Sequence, residues 1–191
     1  HAFQELLVDS VIADLCQQYP KLLPDIQFTD ERLDLLEHKL DMAITVGPLQ
    51  DSNYYASKVG TLDSLLVASP DLLEKHSAYS VETLNAMPLI QLPWQQSAKL
   101  YSTTGDVHTL NSERVIRLNT LPSGIIYACR NIGVLLAPSV FVLNHIHQGD
   151  LVHLLPKWQG AGREVYVVHR YGQHLPFVMK QVVERLRRKL S

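Results

Sequence analysis

The sequence has little of what usually marks an enzyme or a nucleic-acid-binding surface. Its 17 lysine and arginine residues are balanced by 19 aspartate and glutamate residues, and the formal net charge is -2. A broad electropositive face that holds nucleic acid through phosphate contacts is therefore excluded. A glycine-rich phosphate loop and a nucleophile elbow are also missing from the sequence. We therefore predict no catalytic residues, and DNA contact would require another part of a longer chain.

Cysteine is scarce, and long apolar runs are absent. Cys16 and Cys129 each lie among apolar residues of a predicted helix, which is typical of reduced thiols that behave as small hydrophobic side chains. The longest apolar run is far shorter than the roughly 20 residues that a membrane-spanning helix needs. These features predict a cytoplasmic protein without a membrane partner.

Nine histidines raise the question of a metal site. His145, His147 and His153 are the nearest to one another, with Asp150 between them. Residues two apart on a helix do not face each other, and the cysteines lie elsewhere in the chain. We therefore expect solvated histidines, no metal site and no cofactor.

Hydrophobic periodicity predicts an α/β fold. Apolar residues recur at helical spacing over residues 3–19 and 175–190, whereas Met42–Val46 and Ile132–Ala137 are short apolar runs typical of buried strands. Leu23–Phe28 is interpreted as a further strand. The repeated order of strand and helix favours parallel sheets with helices on both faces.

Length and composition leave open whether the chain forms one domain or two small ones. No linker rich in proline, glycine or serine interrupts the sequence, so two lobes would have to be joined by strands that cross directly between them. Leu65–Ala68 and Tyr166–His169 are the best crossing candidates. Two such crossings would form a hinge.

Several short motifs, in order, resemble the effector-binding domain of LysR-type transcriptional regulators. No single motif is diagnostic, but their order and spacing extend over almost the whole chain. They are Tyr19-Pro20, Leu33–Leu36, Leu40–Ile44, Gly47–Leu49 with Asp51-Ser52, Leu66–Pro70, Asn119, Ala128, Gly133, Ala137-Pro138, Gly149–Val152, Trp158 and Val165–Val168. One departure is Asn131, at a turn where the family often has glycine.

The resemblance implies a type 2 periplasmic-binding-protein-like fold of two Rossmann-like lobes joined by two crossover strands. Residues 1–68 and 170–191 would form one regulatory subdomain, and residues 69–169 the other. A small-molecule effector would bind in the cleft between them. The DNA-binding winged helix-turn-helix of the family would precede residue 1 and is absent from this sequence, so DNA contact is expected only through that domain.

The resemblance also implies a homodimer or homotetramer. Antiparallel subunits would lie side by side, with the helix from about Ala2 to Gln18 of one near the Pro122–Arg130 helix of the other. Leu7, Val11 and Ile126 are the apolar residues that we assign to this interface.

Effector contacts are expected where parallel strands end and helices begin, because free backbone N–H groups add positive potential there. Thr120 and Ser123 satisfy this requirement best, although both are also ordinary helix-capping residues. The other candidates could be turn or core residues instead: Gly47, Pro48, Thr29, Pro93 and Trp94.

The preferred hypothesis is the effector-sensing domain of a LysR-type transcriptional regulator. An alternative is a periplasmic solute-binding receptor of the same fold, against which two free cysteines and the lack of a signal-like N-terminal segment weigh mildly. A second alternative is an enzyme on this fold, which the lack of a paired nucleophile and base discourages. The identity of the effector cannot be derived from the sequence.

Overall fold

Strands and helices alternate along the chain in a computed structural model that describes residues 2–29, 34–49, 51–76 and 80–191. The helices are α1 (Ala2–Gln18), α2 (Pro70–His76), α3 (Val81–Leu84), α4 (Leu121–Cys129), α5 (Ser139–Gln148) and α6 (Phe177–Lys189). The strands are β1 (Met42–Val46), β2 (Tyr55–Ala68), β3 (Leu89–Gln91), β4 (Lys99–Ser102), β5 (Val107–Thr109), β6 (Val115–Arg117), β7 (Val134–Pro138), β8 (Val152–His153) and β9 (Trp158–His169). The α/β class predicted from the sequence is confirmed.

The chain divides into two compact units. Unit 1 comprises His1–Leu62 and Arg163–Ser191, and unit 2 comprises Asp63–Gly162. Both boundaries fall inside the long strands β2 and β9, so each of these strands contributes residues to both units.

Unit 2 contains the parallel part of the sheet. Strand β3 lies between β6 and β7 and is parallel to both, with Ile90 opposite Ile116 on one side and Leu135 on the other. All five residues of β7 are buried, as expected for a parallel strand covered on both faces. Helix α4 connects β6 to β7, which completes a βαβ unit.

Unit 1 is built from both ends of the chain. Strand β1 pairs antiparallel with β9, from Met42 opposite His169 to Val46 opposite Val165. Helices α1 and α6 are in contact, and Leu15 and Leu186 on them are fully buried. Gly60 allows the chain end to approach β2, because an added Cβ there would overlap the side chain of Leu190.

The predicted strand Leu23–Phe28 is wrong. Residues 22–29 have no regular secondary structure, and the Leu23 side chain is 89% exposed. Pro24 has no backbone N–H to donate, and a run with exposed apolar side chains gains little from pairing. Thr29 therefore does not follow a strand, although it was expected to.

Asn131 takes the place of glycine at the turn between α4 and β7 without disrupting it. Its backbone is left-handed, with φ of 63°, a conformation that asparagine tolerates better than most residues other than glycine. The Asn131 amide donates a hydrogen bond of 3.0 Å to Asp71 Oδ2 at the start of α2. Gly133, two residues later, lies close to Pro88. A Cβ added to Gly133 would be 2.8 Å from the Pro88 carbonyl oxygen.

Candidate functional site

Two groups of candidate residues lie directly after the carboxyl ends of β3 and β6, which are neighbouring strands of unit 2. We call each of these chain segments a corner. Pro93 and Trp94 follow β3, and Thr120 follows β6. Because β3 and β6 are adjacent and parallel, both corners lie at the same edge of the sheet. In open α/β sheets this edge is where ligands bind.

Thr120 and Ser123 form a polar corner at the start of α4. The Thr120 hydroxyl accepts a hydrogen bond of 3.4 Å from the Ser123 backbone N–H and donates one of 2.8 Å to the Ser123 hydroxyl. Thr120 is thus the N-cap of α4, and its backbone is extended as an N-cap requires. Both side chains are half-buried. Helix capping accounts for this pair of bonds, and the two hydroxyls remain next to the positive end of the helix.

The corner after β3 is fixed by a buried amide. Pro93–Gln95 form a short 3-10 helix, in which Pro93 is exposed and Trp94 half-buried. The Gln95 side chain is 8% exposed; its Nε2 donates to the Leu136 carbonyl at 2.5 Å, and its Oε1 accepts from the Leu92 N–H at 3.2 Å. Gln95 therefore attaches the Pro93–Trp94 corner to β7.

In unit 1, Gly47 and Pro48 follow the carboxyl end of β1. Gly47 is buried with φ of 100°, a conformation that strains any residue with a Cβ, and its N–H donates to the Glu164 carbonyl at 2.9 Å. Pro48 is exposed. Thr29 is half-buried in an irregular segment of the same unit.

Arg163 lies beside Gly47 and was not among the residues predicted from the sequence. Its Nη2 donates to the Val46 carbonyl at 3.4 Å, and a Cβ added to Gly47 would lie 3.5 Å from the same nitrogen. Burial lowers the pKa of the Arg163 guanidinium from its ordinary value. The signal that could have revealed it is the alternation of Arg163, Val165 and Val167, which share one face of β9.

The residues assigned to a dimer interface differ in exposure. Leu7 and Val11 are 5% and 1% exposed and belong to the core of their own chain, whereas Ile126 on α4 is 54% exposed. Of these three side chains, Ile126 is the one available to a partner. Tyr127 and Ile132 nearby are also exposed apolar residues.

The described residues contain no cluster of three or more histidine, cysteine, aspartate or glutamate side chains that could hold a metal ion. His145 Nδ1 lies 3.3 Å from Asp150 Oδ2 and 3.9 Å from Cys129 Sγ. Burial, followed by the charge of Asp150, raises the pKa of the Cys129 thiol. Thiolates are the reactive and metal-binding form, so this arrangement favours neither nucleophilic nor metal chemistry. None of the helices in the described ranges is both long and apolar enough to cross a bilayer.

The proteins to which this sequence is similar include bacterial transcriptional regulators. The chain is 27% identical to the HTH-type transcriptional regulator PtxR of Pseudomonas aeruginosa, over 96% of this chain and 60% of that protein. It is 29% identical to the HTH-type transcriptional activator AaeR of Escherichia coli, over 91% of this chain and 57% of that protein. The chain thus spans less than two thirds of the length of these relatives.

Solved structures share the fold. Full-length AphB, a virulence activator of Vibrio cholerae, superposes with a TM-score of 0.85 at 20% identity, over 100% of this chain and 66% of that chain. The regulatory domain of CrgA from Neisseria meningitidis superposes with a TM-score of 0.80 at 18% identity, over 98% of this chain and 94% of that chain. The predicted fold, that of type 2 periplasmic binding proteins, is confirmed by these neighbours.

The family comparison extends over the whole chain. The sequence model of the LysR substrate-binding domain matches residues 1–191. The resemblance drawn from the sequence is therefore confirmed, and this chain belongs to the LysR substrate-binding domain family.

Proposed function

We propose that this chain is the effector-sensing part of a bacterial LysR-type transcriptional regulator and that unit 2 supplies polar contacts to a small molecule. The observation that carries the proposal is the pair of corners at the carboxyl ends of β3 and β6, around Trp94 and Thr120, in a chain that matches the family along its full length. Thr120 and Ser123 provide hydroxyl groups, and Trp94 provides an aromatic face.

Unit 1 is proposed to contribute the corner after β1. Gly47 has no side chain at this position, and the exposed Pro48 limits the freedom of the following loop. Thr29 stays a weaker candidate, since it is not placed at the end of a strand. That the effector lies between the two lobes is a further part of this proposal.

Signalling requires that the effector bind one arrangement of the protein more tightly than another, because equal affinity shifts no equilibrium. We propose that units 1 and 2 are the two regulatory subdomains and that β2 and β9, which each contribute to both units, carry the hinge. The effector would then alter the arrangement of an oligomer on DNA.

The proposed partners are a small-molecule effector, further copies of this chain and DNA. DNA contact is assigned to an N-terminal domain of the longer protein, since this chain has a net charge of -2 and no broad basic face is expected. A homodimer or homotetramer is proposed, with exposed Ile126 and Tyr127 on α4 at the interface. The proposed location is the cytoplasm.

The same proposal treats the chain as neither an enzyme nor a periplasmic receptor. The relatives named above are transcriptional regulators, which disfavours the receptor. The arrangement around Cys129 provides no activated nucleophile, because the pKa of that thiol is raised.

The test begins with a thermal-shift screen of small carboxylates, amino acids, aromatics and their neutral analogues, since a compound that binds only the folded state raises the melting temperature. Thr120→Val is then expected to weaken binding of the best compound by more than about tenfold, or ~1.4 kcal/mol, in calorimetry. Ser123→Ala is expected to act in the same direction.

Thr120→Val also removes a helix cap, so a matched control is needed. Ser80 caps α3 with the same geometry, since its hydroxyl accepts from the Thr83 N–H at 3.4 Å, and α3 precedes β3 at the opposite edge of the sheet. Ser80→Ala should lose comparable stability and keep its affinity. Equal affinities of the Thr120→Val and wild-type proteins would contradict the assignment.

A further inference from the structure

The carboxyl end of α6 is strongly cationic. Its last residues include Arg185, Arg187, Arg188 and Lys189, which we call the basic cluster, and the one apolar residue among them, Leu186, is fully buried. Because successive helix residues are turned by about 100°, this arrangement places the cations around the outer side of the last turn. Three of the four are exposed, and Arg185 is half-buried.

The basic cluster is held by uncharged acceptors. On the side towards α1, Arg185 donates to the Gln18 side-chain oxygen, and Lys189 Nζ donates to Ser10 Oγ at 2.8 Å. On the other side, Arg187 Nε donates to a backbone carbonyl of β2 at 3.3 Å. These bonds position the cations without neutralising their charge.

Carboxylates do not balance the cluster either. In the part of the chain that the structure describes, no aspartate or glutamate forms an ion pair with any of its four residues. Glu184, one turn before Arg188, instead accepts a hydrogen bond from Gln181 at 3.4 Å. The charge of the cluster therefore faces solvent.

The helix dipole accounts for only part of this charge. The carboxyl end of a helix is equivalent to about half a negative elementary charge, which one cation would balance. Four cations leave a local excess of about three positive charges. The cluster is thus much more positive than stabilisation of α6 requires, although the chain as a whole has a net charge of -2.

The chemistry of the cluster fits the phosphates of a duplex. Double-stranded DNA presents one negative charge for about every 1.7 Å along its axis, and arginine and lysine side chains are its usual phosphate contacts. Binding of single strands normally adds stacking on aromatic side chains. The one aromatic residue of α6, Phe177, lies at the opposite end of the helix, so a duplex is favoured over a single strand.

We propose that the basic cluster contacts the phosphate backbone of duplex DNA without regard to base sequence. The inference rests on the proposed function, in which an N-terminal domain of the longer protein holds this chain near DNA. A few phosphate contacts bind weakly by themselves, but tethering to the same DNA raises their effective concentration. The cluster would therefore add a second contact to the one assigned to the N-terminal domain.

The experiment measures fluorescence anisotropy of a labelled duplex of about 30 base pairs and arbitrary sequence, titrated with this chain from about 20 to 200 mM KCl. For the wild-type chain we expect the logarithm of the binding constant to fall with the logarithm of the salt concentration. Combining Arg187→Gln, Arg188→Gln and Lys189→Gln should weaken binding at least tenfold at the lowest salt. It should also reduce the magnitude of the slope by about 2.7, since each phosphate contact contributes about 0.9.

A matched control removes the same charge elsewhere. Lys99, Arg114 and Arg117 are exposed residues of unit 2, and replacing all three with glutamine should lower affinity less than about threefold and keep the slope. Arg187→Lys combined with Arg188→Lys keeps the charge but not the guanidinium groups. This variant should bind within about twofold of the wild type, because a phosphate contact depends mainly on charge.

The folding of each variant is checked by circular dichroism. If the triple glutamine variant does not fold, Arg188→Gln replaces it, since the Arg188 side chain makes no hydrogen bond to any described residue. This single change should weaken binding at least about threefold at 20 mM KCl and reduce the magnitude of the slope by about 0.9.

Three results would overturn the inference. They are no binding of the duplex by the wild-type chain at 20 mM KCl, equal losses in the cluster variant and the unit 2 control, and binding to vesicles of phosphatidylserine and phosphatidylcholine but not to the duplex. None of them bears on effector binding or on its loss in Thr120→Val. Failure of the inference and failure of the proposed function are therefore distinguishable.

Discussion

Replacing Gln95 with methionine tests how the corner after β3 is held. The side chain keeps its approximate volume but loses both hydrogen bonds, so the Leu136 carbonyl and the Leu92 N–H lose their partner in a buried site. At roughly 1.5 kcal/mol for each group, the loss is about 3 kcal/mol. The more apolar methionine recovers about 1 kcal/mol, which leaves a net destabilisation of about 2 kcal/mol.

For a chain of this size, that change corresponds to a decrease in Tm of about 4–8 °C in scanning calorimetry. Gln96→Met is the matched control, because the neighbouring Gln96 is exposed and the same substitution there should change stability by less than about 0.5 kcal/mol. Equal melting temperatures for the Gln95 and Gln96 variants would refute the idea that the Gln95 amide attaches this corner to β7.

Two further predictions concern the backbone and pH. Gly47→Ala should lower the free energy of unfolding by about 1–2 kcal/mol in urea titrations, because alanine is strained at φ of 100°, and an unchanged urea midpoint would contradict the described turn. Burial lowers the folded-state pKa of His153 from 6.5, so the unfolded chain binds the proton more readily and stability should decrease as pH falls from 6.5 through the folded pKa. His153→Gln should reduce the dependence of the free energy of unfolding on pH, measured by urea titrations between pH 7.5 and 5.0. The dependence that remains is due to His169, whose pKa is also lowered by burial. If His153→Gln leaves this dependence unchanged, His153 is not its source.

Hydrophobic periodicity predicted most of the helices and strands, because the buried face of each element appears in the sequence as a local pattern of apolar residues. The apolar stripe near the chain end becomes α6 (Phe177–Lys189), and the apolar run after Gly133 becomes β7. The predicted strand Leu23–Phe28 failed because strand formation depends on a partner, which composition does not reveal. Asn131 departs from the glycine that the family often has, and the turn still forms because asparagine adopts the required left-handed conformation.

The candidate site was less predictable than the fold. Thr120 could be found because it precedes a helix and follows a strand, both of which are visible in the sequence. Arg163 was missed because a charged residue in a strand suggests a solvent-facing position, although Arg163 shares one face of β9 with the buried residues Val165 and Val167. Sequence spacing also could not reveal that Leu7 and Val11 are used by the core of their own chain.

The division of the chain has a consequence for the order in which it folds. Unit 2 is one continuous stretch, Asp63–Gly162, whereas unit 1 needs both ends of the chain, since α1 packs against α6. During synthesis on the ribosome, unit 2 has all its residues before α6 exists, while α1 must wait for a partner more than a hundred residues away. Until then its apolar face, including Leu15, stays exposed, so nascent chains that lack α6 are the species most in need of a chaperone.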